Sequence, residues 1–411
     1  MSPRVAPFVL FSGLVLAACD GSSSPANEDV LPEGRWHLAP REAADPLQDV
    51  SEQERAQLLS MPYLSGSVRA GDGDQGVIAW APEYSWGSHN LYTSGHGPDV
   101  LLMRSDGTHV HRWRLPFERA FPDRPTSVET TFFRRAHLLP GGDLIAIYQG
   151  GGLVRLDAEA DIVWKVAGGF FNDFFVEDDE SIWALTKTAR RISAVNPDED
   201  VLEDELVHLS ADGQLLETYS ILDMLLRLPF ENFPQGIGDV LHSNTVQVLD
   251  AQRHEPFEPG QVLLSMREIS TLAVADLPSR SIVWAKSGPW KRQHEPVLTQ
   301  RESLLLFDNQ GGDDGRARLL EIDARTSETL SETPGFYSPE AGTVAELPNG
   351  NLLVTESESG RAVEITPAGE IAWEFRSPHR AGRNDELVAT LFEVVRLEAS
   401  QVGALDPGDA R

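Results

Sequence analysis

Histidines stand at regular intervals in the middle of this chain, each beside short polar residues. His242 lies in the segment LHSNT and His294 lies 52 positions later in RQHEP, while His137 and Asn172 hold comparable places earlier. A neutral imidazole is a nucleophile near pH 7 and also takes up and releases protons. Two histidines at the spacing of one repeat would face one shared site if the repeats surround an axis. The alternative for each histidine is a bond to its own neighbouring loop.

Basic residues form small clusters near these histidines in an otherwise acidic chain. The sequence has 34 Lys and Arg against 64 Asp and Glu, a formal net charge of -30. The clusters occur in WKRQH, in KTARR, and at Arg267, Arg316 and Arg318. Because arginine presents a planar set of donors, such residues suit the oxygens of a sulfate or phosphate ester. Several of them are expected to pair with surface carboxylates instead.

Other chemistries have little support in the sequence. Nucleic acid is not expected as a partner, because its phosphates would be repelled by the negative charge. The sequence has no glycine-rich phosphate loop, no G-x-S-x-G elbow and no Cys/His zinc spacing. The acidic residues within 308–314 resemble a calcium loop only loosely, since the remaining ligand positions of an EF-hand do not fit. We therefore expect neither a metal nor a cofactor.

From about residue 74 the chain becomes a repeating series of short strands and turns. Each unit has an apolar strand, a turn rich in Asp and Gly, and a second strand that ends in a large residue. These large residues are Trp113, Trp164, Tyr219, Trp284, Leu330 and Trp373. Their spacings resemble the roughly 40 to 50 residues of a four-stranded propeller blade, with loops absorbing the excess. The pattern predicts an all-β fold, a six-bladed β-propeller, with seven blades as the alternative and the tryptophans packed between neighbouring sheets.

The first residues predict export and lipid attachment. Arg4 precedes an apolar run over residues 5–15 that is too short to span a bilayer. The run ends in LAAC at Cys19, the only cysteine of the chain. A cysteine at this place is typical of a bacterial lipoprotein signal, so we expect a signal peptide over residues 1–18 and lipidation of Cys19. The expected location is the cell envelope, with the protein lipid-anchored to a membrane and facing the periplasm or the outside.

Three further segments complete the predicted organisation. Residues 19–73 are expected to be a lipidated tether and N-terminal extension, with a short helix that begins at the capping box of Ser51 and Glu54. Residues 74–400 form the predicted propeller, and residues 401–411 a C-terminal tail.

Five segments resemble the arylsulfotransferase family in its broad bacterial branch. They are DVLHSNTV from residue 239, RQHEP from 292, LLFDN from 305, LPNGN from 347 and WEFRSPHRAG from 373. The resemblance covers roughly residues 85 to 397. It implies a six-bladed propeller that moves a sulfuryl group from one phenolic sulfate ester to another phenol. In that chemistry a sulfated histidine is the intermediate, and no nucleotide sulfate donor or cofactor is needed.

The resemblance also assigns candidate residues. His242 and His294 fall on the family's channel histidines, with Asn244 beside the first. Arg267 and Asn309 fall where the family binds the sulfuryl oxygens.

Two candidates complete the predicted site. His379, in the final blade, is an alternative to His294 as the histidine that accepts the sulfuryl group. Arg316 is a further candidate for binding the substrate, because it belongs to the basic clusters.

The sequence leaves two hypotheses about function open. The first is an aryl-sulfate sulfotransferase whose partners are small aryl sulfates and phenols. The second is a non-catalytic, lipid-anchored propeller that binds a ligand or an envelope protein. The second is motivated by departures from the family, such as Asn172, which stands where relatives commonly carry a histidine.

Overall fold

A computed structural model describes residues 66, 68–71, 73–228, 238–249, 256–312, 315–382, 384–406 and 408. Within them the chain forms six antiparallel sheets of four or five strands, arranged as the blades of a β-propeller. The predicted all-β class and the six blades are confirmed. The signal peptide, Cys19 and the helix expected after Ser51 lie outside the described residues.

The first three blades follow one another along the chain, and each is given from its innermost strand outwards. Blade I consists of β28 (Leu391–Leu397), β2 (His89–Ser94), β3 (Asp99–Arg104) and β4 (His109–Arg114). Blade II consists of β5 (Arg135–Leu138), β6 (Leu144–Tyr148), β7 (Gly152–Leu156) and β8 (Ile162–Ala167). Blade III consists of β9 (Phe170–Val176), β10 (Ile182–Arg190), β11 (Val201–Leu209) and β12 (Leu215–Ser220). β13 (Gly238–Asp239) pairs with β11 in parallel.

The remaining blades complete the ring. Blade IV consists of β14 (Ser243–Val248), β15 (Val262–Met266), β16 (Thr271–Asp276) and β17 (Ser281–Ser287). Blade V consists of β18 (His294–Leu298), β19 (Ser303–Asp308), β20 (Ala317–Asp323) and β21 (Thr329–Phe336). Blade VI consists of β22 (Thr343–Glu346), β23 (Leu352–Glu356), β24 (Arg361–Ile365), β25 (Ile371–Arg376) and β1 (Gly76–Trp80). Because blade I takes its innermost strand from the C-terminal part of the chain, pairing of β28 with β2 closes the ring.

A few short elements lie between the blades or follow the last strand, β28. They are α1 (Phe117–Ala120), α2 (Ile221–Leu225), α3 (Ala399–Val402), the 3-10 turns Val128–Thr131 and Gly403–Leu405, and the hairpin of β26 (Arg380–Ala381) and β27 (Leu387–Val388). None of the helices in the described part of the chain is long and apolar enough to cross a membrane.

The two features that repeat in the sequence contact each other across blade boundaries. Nε1 of Trp164 in blade II donates to the carbonyl of Ala211 in a turn of blade III, at 2.9 Å. Nε1 of Trp373 in blade VI donates to the carbonyl of Ser105 in blade I, at 2.8 Å. Gly213 in the first of these turns has φ +77, and a Cβ there would lie 2.9 Å from the Trp164 ring. The tryptophans therefore pack between neighbouring sheets, and a glycine permits the close approach.

The hydrophobic core is divided among the interfaces between blades. One cluster joins blades III and IV and another joins blades I and II, each made of strand residues that alternate toward the neighbouring sheet. The polar starts of the innermost strands are left to line one end of the central channel.

Candidate active site

Histidines and polar groups from blades IV and V meet at one end of the channel. His242 immediately precedes β14, and His294 is the first residue of β18. Arg267 and Asn309 immediately follow β15 and β19, the second strands of the same two blades, which return to that end. His294 is buried and His242 is partly exposed. The structure therefore brings four of the sequence-predicted residues to one face.

The protonation of the His294 ring is determined by its partners. Nδ1 lies 2.8 Å from Oδ1 of Asn309 and 2.9 Å from the carbonyl oxygen of Arg292. Both partners are acceptors, so Nδ1 carries the proton and donates it. Nε2 of the neutral ring therefore keeps its lone pair, as a nucleophile requires.

Contacts with blade VI fix the orientation of the Asn309 amide. Nδ2 donates to the carbonyls of Ser338 and Ala341, each at 2.6 Å. Because these two carbonyls require the amino group, Oδ1 must face His294. Asn309 thus connects the histidine of blade V to the backbone of blade VI.

His242 is held in a similar way by a carboxylate. Its Nδ1 lies 2.6 Å from Oδ2 of Asp239, and Oδ1 of Asp239 accepts from the His242 backbone N–H at 3.0 Å. Lys187 forms an ion pair with the same carboxylate. Although burial opposes it, Lys187 and His242 together lower the pKa of Asp239. An ionised Asp239 orients the ring and leaves Nε2 of His242 available as a base.

Both histidines are neutral at pH 7. Burial, followed by the charge of Arg267, lowers the pKa of His242 to about 4. Burial and the same arginine hold the pKa of His294 well below its usual value. Arg267 is also close to both segments in space: its backbone N–H donates to the carbonyl of His242 at 3.2 Å, and its guanidinium shares Glu340 with Arg292, two residues before His294.

Arg267 itself is held by carboxylates. Its Nη2 and Nε donate to Oε1 of Glu268 at 2.6 and 2.9 Å, and its Nη1 lies 3.9 Å from Glu340. Arg292 pairs with Glu340 at 3.2 Å on the more exposed side. These pairs form a charged rim above the buried His294.

Residues at this face have unusual backbone conformations. Positive φ angles occur at Asn172 (55), His242 (49), Arg292 (53) and Glu295 (47). For residues other than glycine such angles are strained, and they are found most often where function constrains the backbone.

The amides of Asn172 and Asn244 connect adjacent blades. Nδ2 of Asn172 donates to the carbonyl of Ser243 at 2.9 Å, which joins blade III to blade IV. Nδ2 of Asn244 donates to the carbonyl of Gln293 at 2.7 Å, which joins blade IV to blade V. Asn244, expected to bind substrate, therefore has its amide directed at the backbone beside His294.

His379 lies in a different cluster of histidines, on blade I. Its ring stacks on His96 with centroids 3.7 Å apart, and its Nε2 lies 3.1 Å from Oη of Tyr92. Burial and His96 lower the pKa of His379 to about 3. Together with His109 and other residues these rings line a groove of about 570 Å³. The contacts of His379 thus differ from those of His242 and His294.

Two further sequence candidates lie apart from this centre. Arg316 is exposed in the loop before β20, where its carbonyl accepts from the backbone of Gly312 at 3.1 Å. His137 was expected at the start of an inner strand but is the third residue of β5, further along the channel. The start of that strand is occupied by Arg134 and Arg135 instead.

Arg134 and Arg135 are the residues at this face that the sequence interpretation missed. Arg135 lies 2.5 Å from Oδ1 of Asp173, pairs with Glu295 and lies 3.7 Å from Glu393. It therefore links blade II to blades III, V and I across the channel. The paired arginines directly before an apolar strand, in the letters RRAHLL, were the available signal.

Metal binding has no support within the described ranges. They contain no group of three or more His, Cys, Asp or Glu residues placed to hold a metal ion. Asp308, in the acidic segment that loosely resembled a calcium loop, accepts from the backbone of Lys291 and from Nε of Arg318, both at 2.8 Å.

Comparison with known families is consistent with this geometry. The sequence profile of the arylsulfotransferase (ASST) family matches residues 135–378, more than half of the chain. The chain belongs to the arylsulfotransferase family. The match begins in β5 and spans the paired histidines of blades IV and V, so the family domain contains the site described above. No curated protein matches this family member.

Several solved structures are similar to this arylsulfotransferase-family chain at low identity. A protein of unknown function from Bacteroides caccae has 11% identity and a TM-score of 0.48, with 75% of this chain and 98% of that chain covered. A streptogramin B lyase has 12% identity and a TM-score of 0.44, with coverage of 80% and 95%. A catalytically inactive virginiamycin B lyase from Staphylococcus aureus with quinupristin has 10% identity and a TM-score of 0.44, with coverage of 76% and 87%. At these values none of them bears on function.

Proposed function

We propose that this protein is an aryl-sulfate sulfotransferase that transfers a sulfuryl group between phenols through Nε2 of His294. The observation that carries the proposal is the fixed tautomer of His294. Its Nδ1 proton is donated to Oδ1 of Asn309 and to the backbone carbonyl of Arg292. A neutral imidazole with a free Nε2 beside an arginine is suited to attack the sulfur of an anionic ester. Of the two histidines considered as nucleophile, His294 is favoured because its segment is joined to that of His242 through Arg267, which donates to the carbonyl of His242 and shares Glu340 with Arg292, whereas His379 is stacked on His96.

The proposed reaction has two half-reactions. In the first, the lone pair of Nε2 of His294 forms an N–S bond, while the S–O bond to the aryl oxygen breaks and its electron pair leaves with the phenolate. In the second, the oxygen of an acceptor phenol attacks sulfur, the N–S bond breaks and its pair returns to Nε2. The phenolic proton passes to Nε2 of His242, from which it is released to solvent or to the next departing phenolate.

Neighbouring residues have supporting roles in this proposal. The side-chain oxygen of Asn309 and the backbone carbonyl of Arg292 accept the Nδ1 proton of His294 in both half-reactions. Asp239, paired with Lys187, orients the ring of His242 for proton transfer. Arg267 supplies positive charge near the transferred group, as in phosphoryl transfer.

The covalent intermediate provides the test. Brief incubation with 4-nitrophenyl sulfate, without acceptor, followed by intact-mass analysis should show one added sulfuryl group. The adduct should be absent in His294→Ala, present in His379→Ala, and removed when phenol is added. Release of 4-nitrophenolate without an adduct, or an adduct that persists in His294→Ala, would exclude His294 as the nucleophile. If a folded sample gives neither an adduct nor turnover, the binding-module hypothesis replaces this proposal.

Membrane attachment is a separate part of the proposal and depends on the sequence alone. The LAAC segment supports lipidation of Cys19 in the cell envelope. Cys19→Ser should move the protein from the membrane fraction to the soluble fraction of cells that express the full chain. Unchanged membrane association would contradict a lipid anchor at this residue.

A further inference from the structure

Most of the donors that the sequence offered for the sulfuryl oxygens make hydrogen bonds within the protein. The amide of Asn244 donates to the carbonyl of Gln293, and the amide of Asn309 donates to two carbonyls of blade VI. Two nitrogens of Arg267 donate to Glu268. An anionic ester beside His294 would be bound more strongly with a further donor, since a charged group is bound strongly only where hydrogen bonds replace its hydration.

Arg134 is a buried cation with a hydrogen-bond donor that no described residue accepts. Its residue is only 9% exposed, and Nη1 has no hydrogen-bond partner among the described residues. The guanidinium lies over the ring of Phe392, 4.9 Å from the centroid. Burial, followed by the charge of Arg135, lowers the pKa of Arg134 to about 10, so the group stays charged at pH 7.

The position of Arg134 in the ring corresponds to that of His242. Arg134 immediately precedes the innermost strand of blade II, as His242 immediately precedes that of blade IV. The charge of Arg134 is also one of the influences on the pKa values of His294 and Glu358. The adjacent Arg135 pairs with Glu295, the residue after His294, so this strand start lies at the same end of the channel as the proposed nucleophile.

A purely structural role for Arg134 does not fit its contacts. The carboxylates whose charges act on the pKa of Arg134 include Asp173, Glu295 and Glu393, and all three are in ion pairs with Arg135. A buried arginine that stabilised the fold would be expected to hold a carboxylate of its own, because an unpaired buried charge is costly. A buried positive charge without a bonded carboxylate is typical of a preorganised binding site for an anionic ligand.

We propose that Arg134 binds the sulfuryl oxygens of an aryl sulfate positioned against His294. The inference rests on the proposed function and adds a substrate-binding residue on blade II, across the channel from blade V, which carries His294. The planar guanidinium, supported from one side by Phe392, can donate to two oxygens of a tetrahedral anion.

Equilibrium binding tests this inference without catalysis. In a His294→Ala background, which cannot form the adduct, calorimetry measures the Kd of 4-nitrophenyl sulfate. Arg134→Met should weaken binding at least about tenfold, as loss of a charge-assisted hydrogen bond does. Arg134→Lys should recover part of the loss. Arg301→Met, on an exposed side chain of blade V, removes the same charge and should leave the Kd unchanged.

Thermal stability separates this role from a structural one. Because Arg134 is buried without a bonded partner, Arg134→Met should leave Tm equal to or above that of Arg301→Met. A clear fall in Tm, or failure to fold, would mark Arg134 as a structural cation and overturn the inference. An unchanged Kd, or no measurable binding in the parent His294→Ala protein, would overturn it as well.

The adduct assay distinguishes failure of this inference from failure of the proposed function. An adduct on wild-type protein together with a Kd that is insensitive to Arg134→Met retains the sulfotransferase and rejects the role of Arg134. Binding that depends on Arg134 without an adduct retains the anion site and rejects the transfer reaction.

Discussion

Oδ1 of Asn309 lies 2.8 Å from Nδ1 of His294, while the amino group of the same amide is held by two backbone carbonyls of the next blade. The amide cannot turn without losing both of those bonds. A contact between blades V and VI thus determines which ring nitrogen of His294 is available for chemistry.

Asn309→Ala should slow sulfation of His294 about 10- to 100-fold in single-turnover mass measurements, because the ring loses one of the two acceptors that hold its tautomer. It should also lower the free energy of unfolding by about 1–3 kcal/mol, since two buried carbonyls lose their donor. Asn351→Ala is the matched control, since the buried amide of Asn351 also donates to two acceptors, the carbonyl of Tyr84 at 2.8 Å and Oε1 of Glu364 at 2.7 Å, without contacting a histidine. Equal sulfation rates in the two variants would show that Asn309 has no positioning role.

Asp239→Asn should affect the second half-reaction more than the first. An amide at this position no longer holds the proton on Nδ1 of His242, so removal of the acceptor's proton should slow by about 10²- to 10⁴-fold. Adduct formation from 4-nitrophenyl sulfate should change much less, because 4-nitrophenolate leaves without needing a proton. Rapid-quench mass analysis measures both steps.

The control for this prediction is Asp204→Asn. Burial and the neighbouring Asp239 raise the pKa of Asp204 to about 7, so an amide is a modest change there. If Asp239→Asn slowed both half-reactions equally, Asp239 would act on the whole site and not through the proton transfer of His242.

The pH profile of kcat/KM should show its acidic limb well below neutrality. The base forms of both histidines are needed, and the pKa of His242 is lowered to about 4 by burial and Arg267. Activity should therefore stay level from pH 7 down to about 5.5 and fall below about pH 5. The same profile should also be measured in Glu358→Gln, because this change removes a carboxyl whose pKa is raised to about 7. If the acidic limb lay near the ordinary histidine pKa in both the wild type and Glu358→Gln, the lowered pKa values of His242 and His294 would be contradicted.

Glu358→Gln should stabilise the protein increasingly as pH rises. Burial raises the pKa of Glu358 from 4.5 to about 7, so the folded state holds a proton that the unfolded state has lost between these values. The contribution of this carboxyl to the free energy of unfolding is fully present below about pH 4.5. It is lost as the pH rises through 7, and the loss amounts to up to about 3 kcal/mol. Denaturant unfolding at pH 5 and pH 8 measures the difference between variant and wild type.

The exposed Glu370→Gln change provides the comparison for this stability effect. It removes a carboxylate from a turn of the same blade and should show no growing advantage at high pH. A constant difference between Glu358→Gln and wild type at both pH values would mean that Glu358 ionises normally in the folded protein.

The sequence by itself determined the architecture of this protein. Strand length, the turns rich in Asp and Gly, and a large residue on the outermost strand are local features, and they repeat at the spacing of a blade. The contacts of Trp164 with the turn at Ala211 and of Trp373 with the turn at Ser105 show why they recur together: the large residue of one blade packs against the turn of the next. The interval between His242 and His294 likewise predicted that both rings would reach one face.

Only the tertiary structure decided which side chains form the site and which are already engaged. His294 and His379 are alternatives in the sequence, yet Nδ1 of His294 is held by Asn309 whereas the ring of His379 stacks on His96. Asn244 has its amide on the carbonyl of Gln293, while Arg134 keeps a donor unpartnered within the described residues. The physical reason is that hydrogen-bond partners in a closed ring come from other blades, about 30 or more residues away, and no local pattern specifies them.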